Sequence, residues 1–376
     1  MAEGAPDLAS LGYQMVAGPS GSKGDFVLRQ LKDPKAGFVW AGEENFSALG
    51  KAVFRWCKQQ LVSLCGLEAL SGYGGATPYA TPGFNKRAAP VLVLLCGDVP
   101  GGDAGTWSRR LVINDSTRAG AMFEQIFSAQ QRGWSVVVPD HNGADAPHQH
   151  MQQLWQKLLR PSSFTKLLMV GHSYGGPVGL SLFKSEPEAC DRLGAVVTTD
   201  GMAWGVGGWG SIEQIDETVY TEAELATQIA INKQAGGGSG ESAEEMREMR
   251  DRGAKFAEMC PKAFTPPSNA VRMCVASLTR NYAASTLPVG TTIRVEPANE
   301  VLVLSAGVDS HGETTGSCIE HAFGFLESGA LGTAAIENAQ TRLSGGAPPP
   351  SFGAPMPQVT LAQSVCDGSI LGCALS

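Results

Sequence analysis

Gly171-His-Ser-Tyr-Gly175 places a serine between two glycines, directly after the apolar run Leu167-Leu-Met-Val170. A serine held on a sharp turn from strand to helix exposes its Oγ above a sheet, and the flanking glycines leave room where a Cβ would clash. Ser173 is therefore a candidate nucleophile. A serine hydroxyl is weak at neutral pH without a general base, and that base needs an acid to fix its tautomer. In this type of sheet the order along the chain is serine, then acid, then histidine, at the carboxyl ends of successive strands. Asp200 closes the run Ala195-Val-Val-Thr-Thr-Asp200, and His311 follows Val301-Leu-Val-Leu-Ser305. Asp309, with His321 as base, is the alternative acid.

Acyl transfer also needs backbone N–H donors for the developing oxyanion, one from the residue after the nucleophile and one from a loop after an earlier strand. Tyr174 supplies the first, and the glycine-rich loop that begins Gly97-Asp98 is placed for the second. Read as a phosphate cradle, that loop lacks the Lys-Ser/Thr ending of a P-loop. His172 reads as structural. His141, His148 and His150 have no supporting carboxylate spacing, so they read as a solvated loop. No metal and no cofactor is expected.

These residues need a scaffold. Unmixed apolar runs at Val91–Leu95, Val136–Val138, Leu167–Val170 and Ala195–Val197, separated by helix-period segments, are the pattern of a parallel sheet covered on both faces. A helix from Asn45 carries Phe46, Leu49, Val53, Cys57, Leu61 and Leu64 on one face. Another carries Met122, Phe123, Ile126 and Phe127 and stops at Gly133. Residues 24–40 read as a hairpin and 71–89 as a surface loop. Capping boxes at Thr221 and Ser242 flank a Gly236–Gly240 linker, and the stretch 201–299 is expected to form an inserted helical cap. The expectation is an α/β-hydrolase-like single domain over 1–335, followed by a Pro/Gly-rich flexible tail over 336–376.

With 376 residues and 43% apolar content, the chain can bury a sizeable core. A net charge of −8 without a dense Lys/Arg cluster argues against direct nucleic-acid binding. Nine scattered cysteines without a CxxC pair favour a reducing compartment. Met1 to Ser10 lacks the pattern of a secretory signal, and no apolar run is long enough for a membrane span. An intracellular protein, cytoplasmic or nuclear and not secreted, is expected.

Gly105-Thr-Trp-Ser-Arg-Arg-Leu-Val-Ile-Asn114, Val170-Gly-His-Ser-Tyr-Gly-Gly176, Thr199-Asp200 and Ser305-Ala-Gly-Val-Asp-Ser-His311 together resemble the argonaute-binding-protein-two (Arb-two) domain family. The likeness spans about Leu8 to Leu326, and its Trp-x-Arg-Arg segment is its most specific part. The resemblance implies an α/β-hydrolase-like fold with Ser173 as nucleophile. It also makes Trp107, Arg109, Arg110 and Asn114 candidate site-lining residues, or ties between loop and sheet. It further implies partners in small-RNA silencing (argonaute), chromatin or splicing complexes. Two departures from the family pattern are Gly312 after His311, and Cys96-Gly97-Asp98 where a histidine is expected. Two functions follow: a serine hydrolase on an ester, thioester or amide, or a binding scaffold that keeps the hydrolase fold.

Overall fold

The computed structural model describes residues 7–71, 73, 76–97, 104–144, 147–201, 268–295 and 301–344. Its organising element is a nine-stranded, mostly parallel sheet. Strands β3 (Glu68–Ala69) and β4 (Tyr79–Ala80) form one antiparallel edge. The interior consists of β5 (Val91–Leu95), β6 (Ser135–Val138), β7 (Leu167–His172), β8 (Leu193–Thr199), β9 (Thr279–Ala283) and β11 (Leu302–Ser305), and β10 (Thr292–Val295) closes the other edge. In space the order is β10-β11-β9-β8-β7-β5-β6-β4-β3, with all pairings parallel from β11 to β6. Both outer pairings, β10 on β11 and β4 on β6, are antiparallel. The fold is α/β-hydrolase-like.

Burial on both faces explains the unbroken apolar runs. Leu92, Leu94, Leu168, Val170, Ala195 and Val197 face one core. That core is closed by helices α1 (Glu43–Ser63), α2 (Arg109–Asn114), α3 (Phe123–Gln131) and α7 (Ile319–Leu331). Their strand neighbours Val91, Val93, Leu95, Leu167, Met169 and Val196 face a second core. The second core is closed by α4 (Pro147–Leu154), α5 (Gly175–Ser185) and α6 (Asn269–Ser277). Side chains that alternate across a pleat cannot leave either face polar when both are covered.

Several boundaries differ from the sequence expectation. Strand β2 (Phe26–Gln30) pairs with β1 (Tyr13–Ala17) as a separate two-stranded sheet, and the turn between them is tied by the Asp25 carboxylate, which accepts from Ser20 N–H and Oγ–H. Phe38 and Trp40 form no strand; they pack on Phe46 of α1 as an aromatic cluster. The stretch 71–89 is more than a surface loop, since Tyr79 and Ala80 join the sheet edge and Ala76 and Phe84 are buried. Within the stretch expected to be cap, α6, β9 and β10 belong to the main layers. Residues 202–267, which hold both capping boxes and the glycine linker, lie outside the described residues.

The expected tail also begins too early. Helix α8 (Ala334–Ser344) packs on the sheet, with the Asn338 amide donating to the carbonyls of Ser277 and Thr279 and its Oδ1 accepting from Arg280 Nε at 2.7 Å. Residues 345–376 lie outside the described residues.

Candidate active site

Ser173 sits between β7 and α5 with φ of +51°, a backbone region that side-chain-bearing residues avoid at a cost of about 1–3 kcal/mol. Neighbouring glycines make the strain tolerable: a Cβ on Gly175 would run into the carbonyl oxygens of Leu95 and Cys96, and one on Gly171 into the backbone of Gly175 and Gly176. The turn is pinned from both sides. Ser173 N–H donates to Thr199 O at 3.0 Å, and Gly176 N–H donates to Ser173 O at 3.1 Å.

Asp200 is the other side-chain-bearing residue with positive φ, +48°, among the described residues. It ends β8, the strand beside the one that carries Ser173. Its N–H donates to Tyr282 O at 2.7 Å, and its Oδ1 accepts from Ala284 N–H at 3.5 Å. Oδ2 lies 2.6 Å from Nδ1 of His311, which opens a short 3-10 turn after β11. Burial works to raise the Asp200 pKa, but the His311 hydrogen bond, the nearby imidazoles and the Ala284 N–H outweigh it. The carboxyl is held below its ordinary range. An ionised Asp200 keeps the proton of neutral His311 on Nδ1 and leaves Nε2 as the basic nitrogen.

His172 lies under this pair. Its ring centroid is 4.7 Å from that of His311 and 6.4 Å from that of Trp107. Burial above all, with His311 close by, pushes its pKa down to about 3. The neutral ring's Nδ1 is 3.1 Å from both Thr199 Oγ1 and Thr315 Oγ1, hydroxyls that are themselves 2.6 Å apart. A three-member polar contact is thus closed inside the core beneath the candidate base.

Other sequence candidates lie elsewhere. Asp309 is exposed, and the Nδ1 of His321 meets Tyr282 Oη at 2.7 Å. Arg109 stacks on Phe46, 5.1 Å from its ring, and lies against Gly50, joining α2 to α1. Asn114 is exposed and donates to the carbonyl of half-buried Arg110, where it caps its own helix. Of the Trp-x-Arg-Arg segment, Trp107 is the residue beside His172; the contacts of Arg109 run to a neighbouring helix and that of Asn114 stays within its own.

Gly97 lies near the nucleophile: a Cβ added there would be 3.3 Å from Ser173 Cβ and 3.6 Å from its Oγ. Asp98 lies outside the described residues. The segment after β6 corrects the reading of a solvated loop, because His141 and His150 are buried and His148 opens a helix against α5. Nε2 of His141 lies 3.1 Å from Cys96 O, and the Asn142 amide donates to Gly97 O at 2.6 Å. Tyr174 Oη lies 2.6 Å from His148 Nε2. Desolvation is the largest influence on all three rings; it lowers His150 and pushes His141 and His148 down to about 4 and about 3. Among the described residues, no group of three or more His, Cys, Asp or Glu could hold a metal ion. Sequence reading missed Asn142. The available signal was position, since it follows β6 at the carboxyl edge of the sheet, where α/β sites are built.

No family model matches the chain. It is 32% identical over 212 residues to a FAM172 family protein homolog of Caenorhabditis elegans, a match covering 51% of this chain and 64% of that protein. It is 29% identical over 122 residues to the cotranscriptional regulator ARB2A of Mus musculus, covering 30% of this chain and 28% of that one. These likenesses support a FAM172/Arb-two-like family. The chain spans less than two thirds of the length of either relative.

Solved structures with similar folds include the histone deacetylase Clr3, at TM-score 0.44 and 9% identity over 79% of this chain and 40% of that one. AbyA5 follows at 0.43 and 15%, over 80% and 78%. An alpha/beta hydrolase from Novosphingobium aromaticivorans scores 0.35 at 16%, over 70% and 98%. Scores of this size carry no argument beyond the strand order already described.

Proposed function

We propose that the chain is a serine hydrolase acting on an ester, thioester or amide. Ser173 attacks the acyl carbon while His311 Nε2 takes the hydroxyl proton, and His311 later returns that proton to the leaving group. Asp200 holds the imidazole in the tautomer that makes Nε2 basic. The Tyr174 N–H and the loop at Gly97 and Asp98 receive the oxyanion. The observation that carries this reading is the 2.6 Å contact of His311 Nδ1 with Asp200, which brings together the ends of β8 and β11. The positive φ of Ser173 adds to it, since the chain spends stability to hold that hydroxyl on a turn. A panel of 4-nitrophenyl esters of increasing acyl length tests it. Turnover abolished by Ser173→Ala is expected, and equal turnover by that variant would overturn the assignment.

A second reading is favoured by the likeness to a cotranscriptional regulator: a scaffold, in the cytoplasm or nucleus, for protein partners in silencing, chromatin or splicing complexes. Affinity capture of the full chain from nuclear and cytoplasmic extract decides. Recovery of chromatin, splicing or argonaute components supports the scaffold, and their absence removes it. No helix among the described residues is long and apolar enough to cross a membrane.

A further inference from the structure

We infer that His141, Asn142 and His148 are positioning residues for the oxyanion site, so that one segment after β6 braces both of its halves; this rests on the hydrolase reading above. The first half is the loop after β5. Cys96 O is held by His141 Nε2 at 3.1 Å, and Gly97 O by the Asn142 amide at 2.6 Å. The Cys96 carbonyl and the Gly97 N–H belong to one peptide unit, and with no cis bond present they point to opposite sides. Fixing the carbonyl therefore fixes the direction of the N–H, at a glycine so near Ser173 that an added Cβ would lie 3.3 Å from the serine Cβ. The second half is Tyr174. Its ring is 2% exposed and its hydroxyl is 2.6 Å from His148 Nε2, so the residue after the nucleophile is anchored through its side chain.

Burial favours neutral rings in both bonds. Tyr174 Oη both donates and accepts, so neutral His148 pairs with it through Nε2 in either tautomer. His141 needs a proton on Nε2 to donate to Cys96 O, which its neutral form supplies. Desolvation keeps both rings neutral. A donor that stabilises a developing oxyanion works because it is already aimed when charge appears, and a brace of this kind supplies that aim.

The test uses the full chain and whichever 4-nitrophenyl ester the wild type turns over best. Asn142→Asp keeps the shape and replaces the donor to Gly97 O with a second acceptor. His148→Phe removes the hydrogen-bond partner of Tyr174 Oη, and His148→Gln keeps one. Asn142→Asp and His148→Phe should lower kcat about 10²-fold with KM within about twofold, while His148→Gln stays near wild type. Inhibition by an alkyl boronic acid, which forms a tetrahedral adduct on serine, should weaken by the same factor as kcat/KM. Should Asn142→Asp not fold, the two His148 variants make the comparison alone. An active wild type with unchanged kcat in Asn142→Asp and His148→Phe, or with His148→Gln as damaged as His148→Phe, overturns the brace and leaves the hydrolase reading standing. A wild type that neither turns over an ester nor binds the boronic acid removes both.

Discussion

The two flanks of Ser173 use the same residue type in opposite ways. On one side His311 keeps a carboxylate at 2.6 Å, and the pair sits where the chain leaves β8 and β11. On the other side His141 faces a backbone oxygen and half-buried His148 a phenol, and desolvation lowers the pKa of both rings, outweighing the Asp140 charge near His141. A histidine whose Nδ1 is held by a carboxylate presents Nε2 as an acceptor, whereas a desolvated neutral ring serves as a fixed dipole. On the proposed hydrolase reading, the first kind moves protons and the second holds geometry.

Substitutions on the acid flank should cut deepest. Asp200→Asn keeps the shape but lets His311 adopt the wrong tautomer, and should lower kcat by about four orders of magnitude with the fold intact. Steady-state kinetics with near-UV circular dichroism measures both, and a loss below tenfold would place the acid elsewhere.

The neutral flank and His172 should appear in stability against pH. A histidine with a lowered folded-state pKa resists protonation that the unfolded chain accepts. Stability is therefore full above about pH 6.5 and falls as pH drops toward the folded values of about 4 for His141 and about 3 for His148 and His172. At pH 5 each buried ring costs about 2 kcal/mol. Asp200 acts at lower pH, because its depressed pKa contributes stability above the ordinary carboxylate range that is lost below it. Thermal melts between pH 7.5 and 5 should show a steep fall, shallower in His148→Gln; parallel curves for the two proteins would contradict the burial argument.

A smaller effect is expected beneath the base. Thr315→Val conserves shape but removes a hydroxyl shared by His172 and Thr199, and should cost about 1 kcal/mol with little change in kcat. Chemical denaturation and initial rates would measure the two parts separately. A large fall in kcat at unchanged stability would move the threonines into the chemistry.

Legibility follows the same division between bare pattern and partnered residues. Strands β5 to β8 are plain in the sequence because each buries apolar residues on both faces. Strand β9, Thr279-Arg-Asn-Tyr-Ala283, is equally buried but polar. Asn281 accepts from Thr198 Oγ1, Arg280 binds Asn338 and Glu337, and Tyr282 meets His321. Periodicity registers hydrophobicity and cannot see a partner that the fold brings from 58 residues away. For the same reason Asn338 conceals helix α8 inside an expected tail, and the histidines after β6 pass for a wet loop. Ser173 could be singled out because its glycines lie beside it in sequence. The positive φ of Asp200 carried no such local mark, although its place at the end of an apolar run did.

The most direct test of the central claim is the rate at which a fluorophosphonate labels the folded wild-type chain, with the adduct located by peptide mass spectrometry. The account predicts one adduct, on Ser173, formed at a rate that collapses in Asp200→Asn and is abolished in Ser173→Ala. Labelling that is absent from the folded wild type, or that persists unchanged in Ser173→Ala, would contradict it.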